Sequence, residues 1–269
     1  MKNTWMALPA LLLVALAACD GGSTSETTAD TLATADSASA GVTLTQADDI
    51  PELQEAMLEL NEPAESEVPT GDVAFNFEVK NFELKQQSPE AADLGLANSA
   101  EGQHIHFILN NGPYKALYDP AHVENMTEGY HVVLAFLSRS YHCSVKNPAA
   151  FVVRDFVVGD AGDVERADLT APHMFYSRPK GEYTGEGAQK VLLDFYLVNA
   201  DLSADGHKIR VSANGEELET LTEWSPYYLE GLPMGENTVK LEFIDADGNL
   251  VDSPFNPVER TFTLKGAAM

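Results

Sequence analysis

The chain repeats itself once, and a single duplication of strand-like segments leaves few folds open. Phe77, Val79, Asn81 and Leu84 recur with the same spacing as Phe195, Leu197, Asn199 and Leu202. Gln103-His104-Ile105-His106-Phe107 is answered by His207-Lys208-Ile209-Arg210-Val211, and the run His131 to Phe136 by Thr238 to Phe243. Both copies close on a proline and an arginine, Pro148 with Arg154 and Pro254 with Arg260. Two copies cannot stack into a solenoid, so the repeat predicts two tandem domains of about 90 residues each.

Within each copy the apolar period is two. Val73, Phe75, Phe77 and Val79 share one face, with Asn76, Glu78 and Lys80 on the other. Ile105, Phe107 and Leu109 alternate with His104, His106 and Ile108. Further strands are expected over 131–138, 150–158, 190–199, 207–214, 237–245 and 258–264. Turn signals such as Asn110-Asn111-Gly112-Pro113, Asn214-Gly215 and Asp247-Gly248-Asn249 separate the runs. The expected fold class is all-β: two tandem immunoglobulin/fibronectin-like β-sandwich modules over 71–160 and 189–266. Residues 161–188, rich in Gly, Asp, Glu and Pro, read as a connector. One short helix is expected at 121–126. Another is expected within 48–70, a short helix and linker. There Asp48 or Asp49 caps, Pro51 suits the first turn, and Ile50, Leu53, Met57 and Leu60 recur at helical spacing.

Residues 1–19 have the form of an export signal. Lys2 supplies the positive start, and the apolar run 7–18 is too short to span a bilayer. It ends in Leu16-Ala17-Ala18-Cys19, which resembles the lipobox of bacterial lipoproteins. That resemblance implies a diacylglycerol on Cys19 and a membrane partner through the lipid. The expected location is the bacterial cell envelope, lipid-anchored to the outer membrane on its periplasmic or surface face. With Cys19 lipidated, Cys143 is the one remaining thiol, so no intramolecular disulfide can form. Residues 20–47 are rich in Ser, Thr, Ala and Asp and read as a disordered acidic tether. The formal charge of −26 and the lack of any Lys/Arg cluster exclude nucleic acid as a partner.

The two copies differ at histidines. In the sequence register His104, His106, His131 and His142 stand against Lys208, Arg210, Thr238 and Gly248. His104 and His106 leave one strand face about 6.5–7 Å apart, a spacing that suits two ligands of one ion. If the first copy is a sandwich, His131 and His142 can join them. Four imidazoles suit Cu²⁺ or Zn²⁺. The plainer reading makes them exposed or carbonyl-bonded strand histidines, and Cys143 a small core residue.

Residues 103–109, then Gly129-Tyr130-His131-Val132-Val133-Leu134, then His142 to Pro148, resemble an uncharacterised His-rich domain of bacterial envelope proteins. The resemblance implies a small β-sandwich without assigned activity. Over its whole length the chain resembles Bacteroidetes-type envelope lipoproteins loosely labelled phosphopeptide-binding proteins. Arg139, Lys146 and Arg154 are the basic residues of the first copy with which a phosphate could be held, although their spacing does not require them to gather. No nucleophile elbow, phosphate loop or Cys-x-x-Cys occurs. The expectation is a non-catalytic, membrane-anchored binding or interaction protein that takes an envelope protein or small ligand. A metal-binding protein and a hydrolase of unrecognised site are the alternatives.

Overall fold

The computed structural model describes residues 41–266. The expected signal segment, Cys19 and residues 20–40 of the tether lie outside the described residues. In chain order the strands are β1 (Thr43–Gln46), β2 (Met57–Glu62), β3 (Glu67–Val68), β4 (Gly71–Lys80), β5 (His104–Leu109), β6 (Lys115–Leu117), β7 (Ala121–Met126), β8 (Gly129–Ser138) and β9 (Phe151–Val158). They continue with β10 (His173–Arg178), β11 (Gly181–Thr184), β12 (Lys190–Val198), β13 (Lys208–Ala213), β14 (Glu216–Leu221), β15 (Tyr227–Glu230), β16 (Gly235–Ile244) and β17 (Val258–Lys265).

The expected tandem sandwich is present, and its halves share one topology. Sheets β2-β4-β7 and β3-β9-β8-β5-β6 form the first module. Strands β10-β12-β15 and β11-β17-β16-β13-β14 repeat that order in the second. Even the parallel pairings recur, β3 on β9 and β11 on β17. Asparagines hold equivalent left-handed corners in both copies: Asn81 and Asn199 (φ 55° and 52°), Asn110 and Asn214 (φ 52° and 51°). Asn enters this region at low cost because its short amide bonds the local backbone.

Four sheets stack around three apolar layers. Phe75, Phe107 and Phe156 fill the first sandwich; Phe195, Phe243 and Phe262 fill the second. Between them, the outer face of the β8–β5 sheet (Ile108, Leu134, Phe136) packs on the β12–β10 sheet (Phe175, Tyr196, Val198). Phe136 stacks on Tyr196 at 4.7 Å between ring centroids and 19° between planes. The buried pair Lys146–Asp194 crosses the same boundary at 2.6 Å.

Four organisational expectations change. The stripe 50–60 forms no helix. Leu58 and Leu60 instead alternate along β2, because pairing with β4 buries Leu58 in the first core. Residues 121–126 form β7 rather than a helix; their burial alternates, with Glu124 and Met126 inward. The connector 161–188 contains β10 and β11, so the second sandwich begins at His173. Residues 43–46, placed in the tether, form β1 and extend the second module's sheet beside β15, with Thr43 opposite Glu230 and Gln46 opposite Tyr227.

Because the modules share a buried apolar boundary, they should unfold in one transition. Phe136→Ala should cost about 3–5 kcal/mol and broaden or split that transition in urea, measured by tryptophan fluorescence and circular dichroism together. Two well-separated transitions in the parent protein would contradict the shared layer.

Candidate metal centre

Strand parity decides which histidines meet. On β5, Ile105 and Phe107 point into the first core, so His104 and His106 point to the boundary with the second module, where both are fully buried. On β8 the boundary face carries Val132, Leu134 and Phe136. His131 has the opposite parity and cannot reach it. His142 comes from the turn after β8, where its φ of 70° is left-handed.

Three ring nitrogens therefore converge. His104 Nε2 lies 3.0 Å from His106 Nε2 and 3.1 Å from His142 Nδ1. One potential ligand atom from each residue lies within 4.8 Å of the others. His104 Nδ1 sits 2.8 Å from the Gly102 carbonyl, to which it donates, so its Nε2 carries the lone pair. His106 Nδ1 is 3.2 Å from Ser177 Oγ on β10, and its ring stacks on Tyr114 at 3.5 Å and 9°. The Tyr114 hydroxyl lies 3.2 Å from His142 Nδ1 and accepts from Arg178 Nη2.

His131 is a correction to the four-ligand expectation. Asn110 Nδ2 donates to its Nδ1 at 2.9 Å, and its Nε2 donates to the Thr127 carbonyl at 2.9 Å. The second module makes the same two bonds with an amide: Asn214 Nδ2 to Asn237 Oδ1 at 2.8 Å, and Asn237 Nδ2 to the Pro233 carbonyl at 2.8 Å. Strands β8 and β16 both start on glycine, so the structural counterpart of His131 is Asn237 and not Thr238. The sequence register was one residue out here. His131 is a brace for the Asn110 corner.

His142 does occupy the position of Gly248. The turns match bond for bond: Arg139 N to Cys143 O and His142 N to Arg139 O in one copy, Asp245 N to Asn249 O and Gly248 N to Asp245 O in the other. Gly248 has φ 88°. The first module thus holds a side chain in a conformation that its sister assigns to glycine.

The site is electropositive. Burial first, and then Arg178 and Lys180, depress His104 to about 4. Burial likewise holds His106 and His142 well below the ordinary imidazole value. All three are neutral at pH 7, as ligands must be. Burial and then Arg178 lower Lys180 to about 8. Cys143 supplies no thiolate: burial and then Asp194 raise it to about 12, and it packs in the apolar cluster with Tyr141 and Leu192. The basic residues considered for phosphate do not gather as free cations. Lys146 pairs with Asp194, Arg139 with Glu90, and Arg154 donates to the Pro63 and Ala64 carbonyls. Tyr114, Arg178 and Lys180 were missed. Only the turn Asn111-Gly112-Pro113 just before Tyr114 hinted at any of them.

No protein-family model and no curated protein matches the chain. Among solved structures it is similar to fibronectin(III)-like modules of Clostridium thermocellum CbhA, at 12% identity and TM-score 0.28, over 78% of this chain and 95% of that one. It is also similar to the central fibronectin-III array of RIM-binding protein (12%, TM-score 0.26, 84% and 72%). A third is SGBP-B of a Bacteroides ovatus mixed-linkage glucan utilization locus, solved with a mixed-linkage heptasaccharide (8%, TM-score 0.25, 80% and 72%). The two modules are β-sandwiches of one shared topology.

His131→Asn should retain the fold with a change under about 1 kcal/mol, whereas His131→Ala should cost about 1–3 kcal/mol by leaving Asn110 and Thr127 unpaired; chemical denaturation separates the two. Stability should also fall in acid. The unfolded imidazole titrates near 6.5 and folded His104 near 4, so the unfolded chain binds more protons between those values. The contribution is complete above the unfolded value and is lost as pH drops toward 4. Melting temperatures between pH 7.5 and 4.5 should decline, and less steeply in His104→Gln.

Proposed function

We propose that the protein is a non-catalytic binding protein of the bacterial envelope, tethered through a lipidated Cys19, and that its first module takes one Cu²⁺ or Zn²⁺ on His104, His106 and His142. The supporting observation is a proton count. His104 Nε2 has one lone pair and faces two ring nitrogens at 3.0 and 3.1 Å. If the Tyr114 hydroxyl donates to His142 Nδ1, that nitrogen and His104 Nε2 face each other at 3.1 Å with no proton between them. If His142 Nδ1 donates to His104 instead, the Tyr114 proton has no acceptor among the described residues. A cation at the convergence point removes the contact between unprotonated nitrogens, because each of the three then directs its one lone pair at the ion and the Tyr114 proton turns away from His142 Nδ1. Bonds of about 2.0–2.1 Å to a shared ion place ligand nitrogens a little over 3 Å apart. The Gly102 carbonyl fixes the His104 tautomer as outer partners of metal-bound histidines commonly do.

The left-handed His142 supports the same reading. Backbone strain of about 1–3 kcal/mol at a non-glycine residue clusters at functional sites. The twin turn shows that glycine serves the fold at this position.

Protein made without a histidine tag, stripped and reconstituted, should retain one Cu²⁺ or Zn²⁺ per chain by elemental analysis. His142→Gly should lose at least tenfold in affinity while its melting temperature holds or rises, since it restores the sister module's residue. His131→Asn should bind as the parent does. Protein that remains metal-free after reconstitution removes the reading.

A further inference from the structure

Two cations beside the histidines have no counter-charge. Arg178 is only 7% exposed. Its Nη1 donates to the Tyr183 hydroxyl at 2.8 Å and its Nη2 to that of Tyr114. Its Nε is buried without a partner. Lys180 Nζ donates to the Tyr114 carbonyl at 2.7 Å and lies 3.8 Å from the centre of the Tyr114 ring. Neither residue forms an ion pair among the described residues, where Arg139 and Lys146 nearby both do. A buried unpaired charge is costly, and a chain this rich in acid could have supplied a partner.

The next inference rests on the metal reading. Three neutral imidazoles leave the dication's charge uncancelled and leave a coordination position open. A second positive centre beside Arg178 and Lys180 is then unfavourable unless an anion enters with it. A guanidinium with a free Nε offers the planar fork that oxyanions accept from. We infer that the centre binds its metal together with a small oxyanion, held between the open metal position and the Arg178–Lys180 pair. The Tyr114 hydroxyl stands between Arg178 and His142 and marks where metal and anion meet. Lys180 and His142, partly exposed where His104 and His106 are not, mark the route from solvent.

Coupling of this kind is reciprocal. In calorimetry with Zn²⁺ in a non-coordinating buffer, added inorganic phosphate should tighten metal binding at least tenfold. In equilibrium dialysis the metal should tighten phosphate binding by the same factor, with one phosphate per metal; acetate in place of phosphate reports whether a carboxylate serves. Lys180→Met, at a partly exposed position, and Arg178→Met should each reduce the phosphate effect to under twofold while still binding Zn²⁺. Circular dichroism confirms that each variant is folded; if Arg178→Met is not, Lys180→Met decides. Zinc binding that ignores phosphate and acetate overturns the anion and leaves the metal site standing. Phosphate held equally by metal-free protein overturns the coupling. Failure to bind zinc or copper at all removes both proposals.

Discussion

The burial of one sheet face by a second module determines the character of the site. In an isolated sandwich the outer face of the β5–β8 sheet would meet water. The second module shows what such a face looks like: Lys208, Arg210 and Ser212 on β13, Lys240 and Glu242 on β16, all partly exposed. Arg210 reaches Glu217 and Glu242 there at 3.7 and 3.6 Å. In the first module, Glu242 is replaced by Phe136 and Arg210 by His106. The covering sheet brings Tyr196 against Phe136 and Ser177 against His106. The difference between the copies is thus first a difference between a wet face and a dry one. An Arg or Lys at either histidine position would be a charge taken out of water without a carboxylate, whereas neutral imidazole tolerates the site.

Burial alone does not explain the choice of histidine. A dry face is most simply filled with apolar side chains, as Val132, Leu134 and Phe136 do on the neighbouring strand. Polar side chains in a low-dielectric layer must be fully paired to be neutral in their effect on stability. Here His104 Nε2 and His142 Nδ1 meet at 3.1 Å, Arg178 Nε has no partner, and two buried or half-buried cations beside the histidines add to the cost. His142 adds a left-handed backbone. Three departures from good packing meet at one place; the twin module has no counterpart of the histidine cluster and puts glycine where His142 stands, the pattern expected where structure has been traded for binding.

The fold was legible because duplication doubled the signal. Alternation of Val73, Phe75, Phe77 and Val79 marked β4, and the repeat located its partner β12. Strands without that support were lost: β1, β2 and β7 carry weak alternation at sheet edges, and β10 and β11 lie in a segment whose Gly, Pro and acidic content suggested a loop. The site was partly legible. Spacing alone places His104 and His106 on one face, and the repeat sets His142 against Gly248 without showing that the turn there is left-handed. His131 misled because a one-residue slip in a strand register reverses the face. Aligned with Asn237 it would have read as the structural residue it is. Tyr114 and Arg178 were invisible, since their approach depends on how the modules dock, and nothing in a linear pattern encodes that contact.

The position of β1 gives the docking a further consequence. The chain passes along the second module's edge at β1, then builds the whole first module, and only then builds the second. The two modules are thereby joined at both ends of the first one, by β1 pairing with β15 and by the segment leading into β10. A doubly fastened boundary cannot open without breaking a strand pairing, which keeps the β5 histidines in register with Ser177 and the Arg178 end of β10. In the proposed metal-bound form the linkage runs both ways. His104, His106 and His142 come from one module, but Ser177, Arg178 and Lys180 come from the other, so any ligand that engages both stabilises the docked arrangement by its binding free energy. A partner that strips β1 from the edge of β15 would loosen the boundary and with it the grip on the ligand.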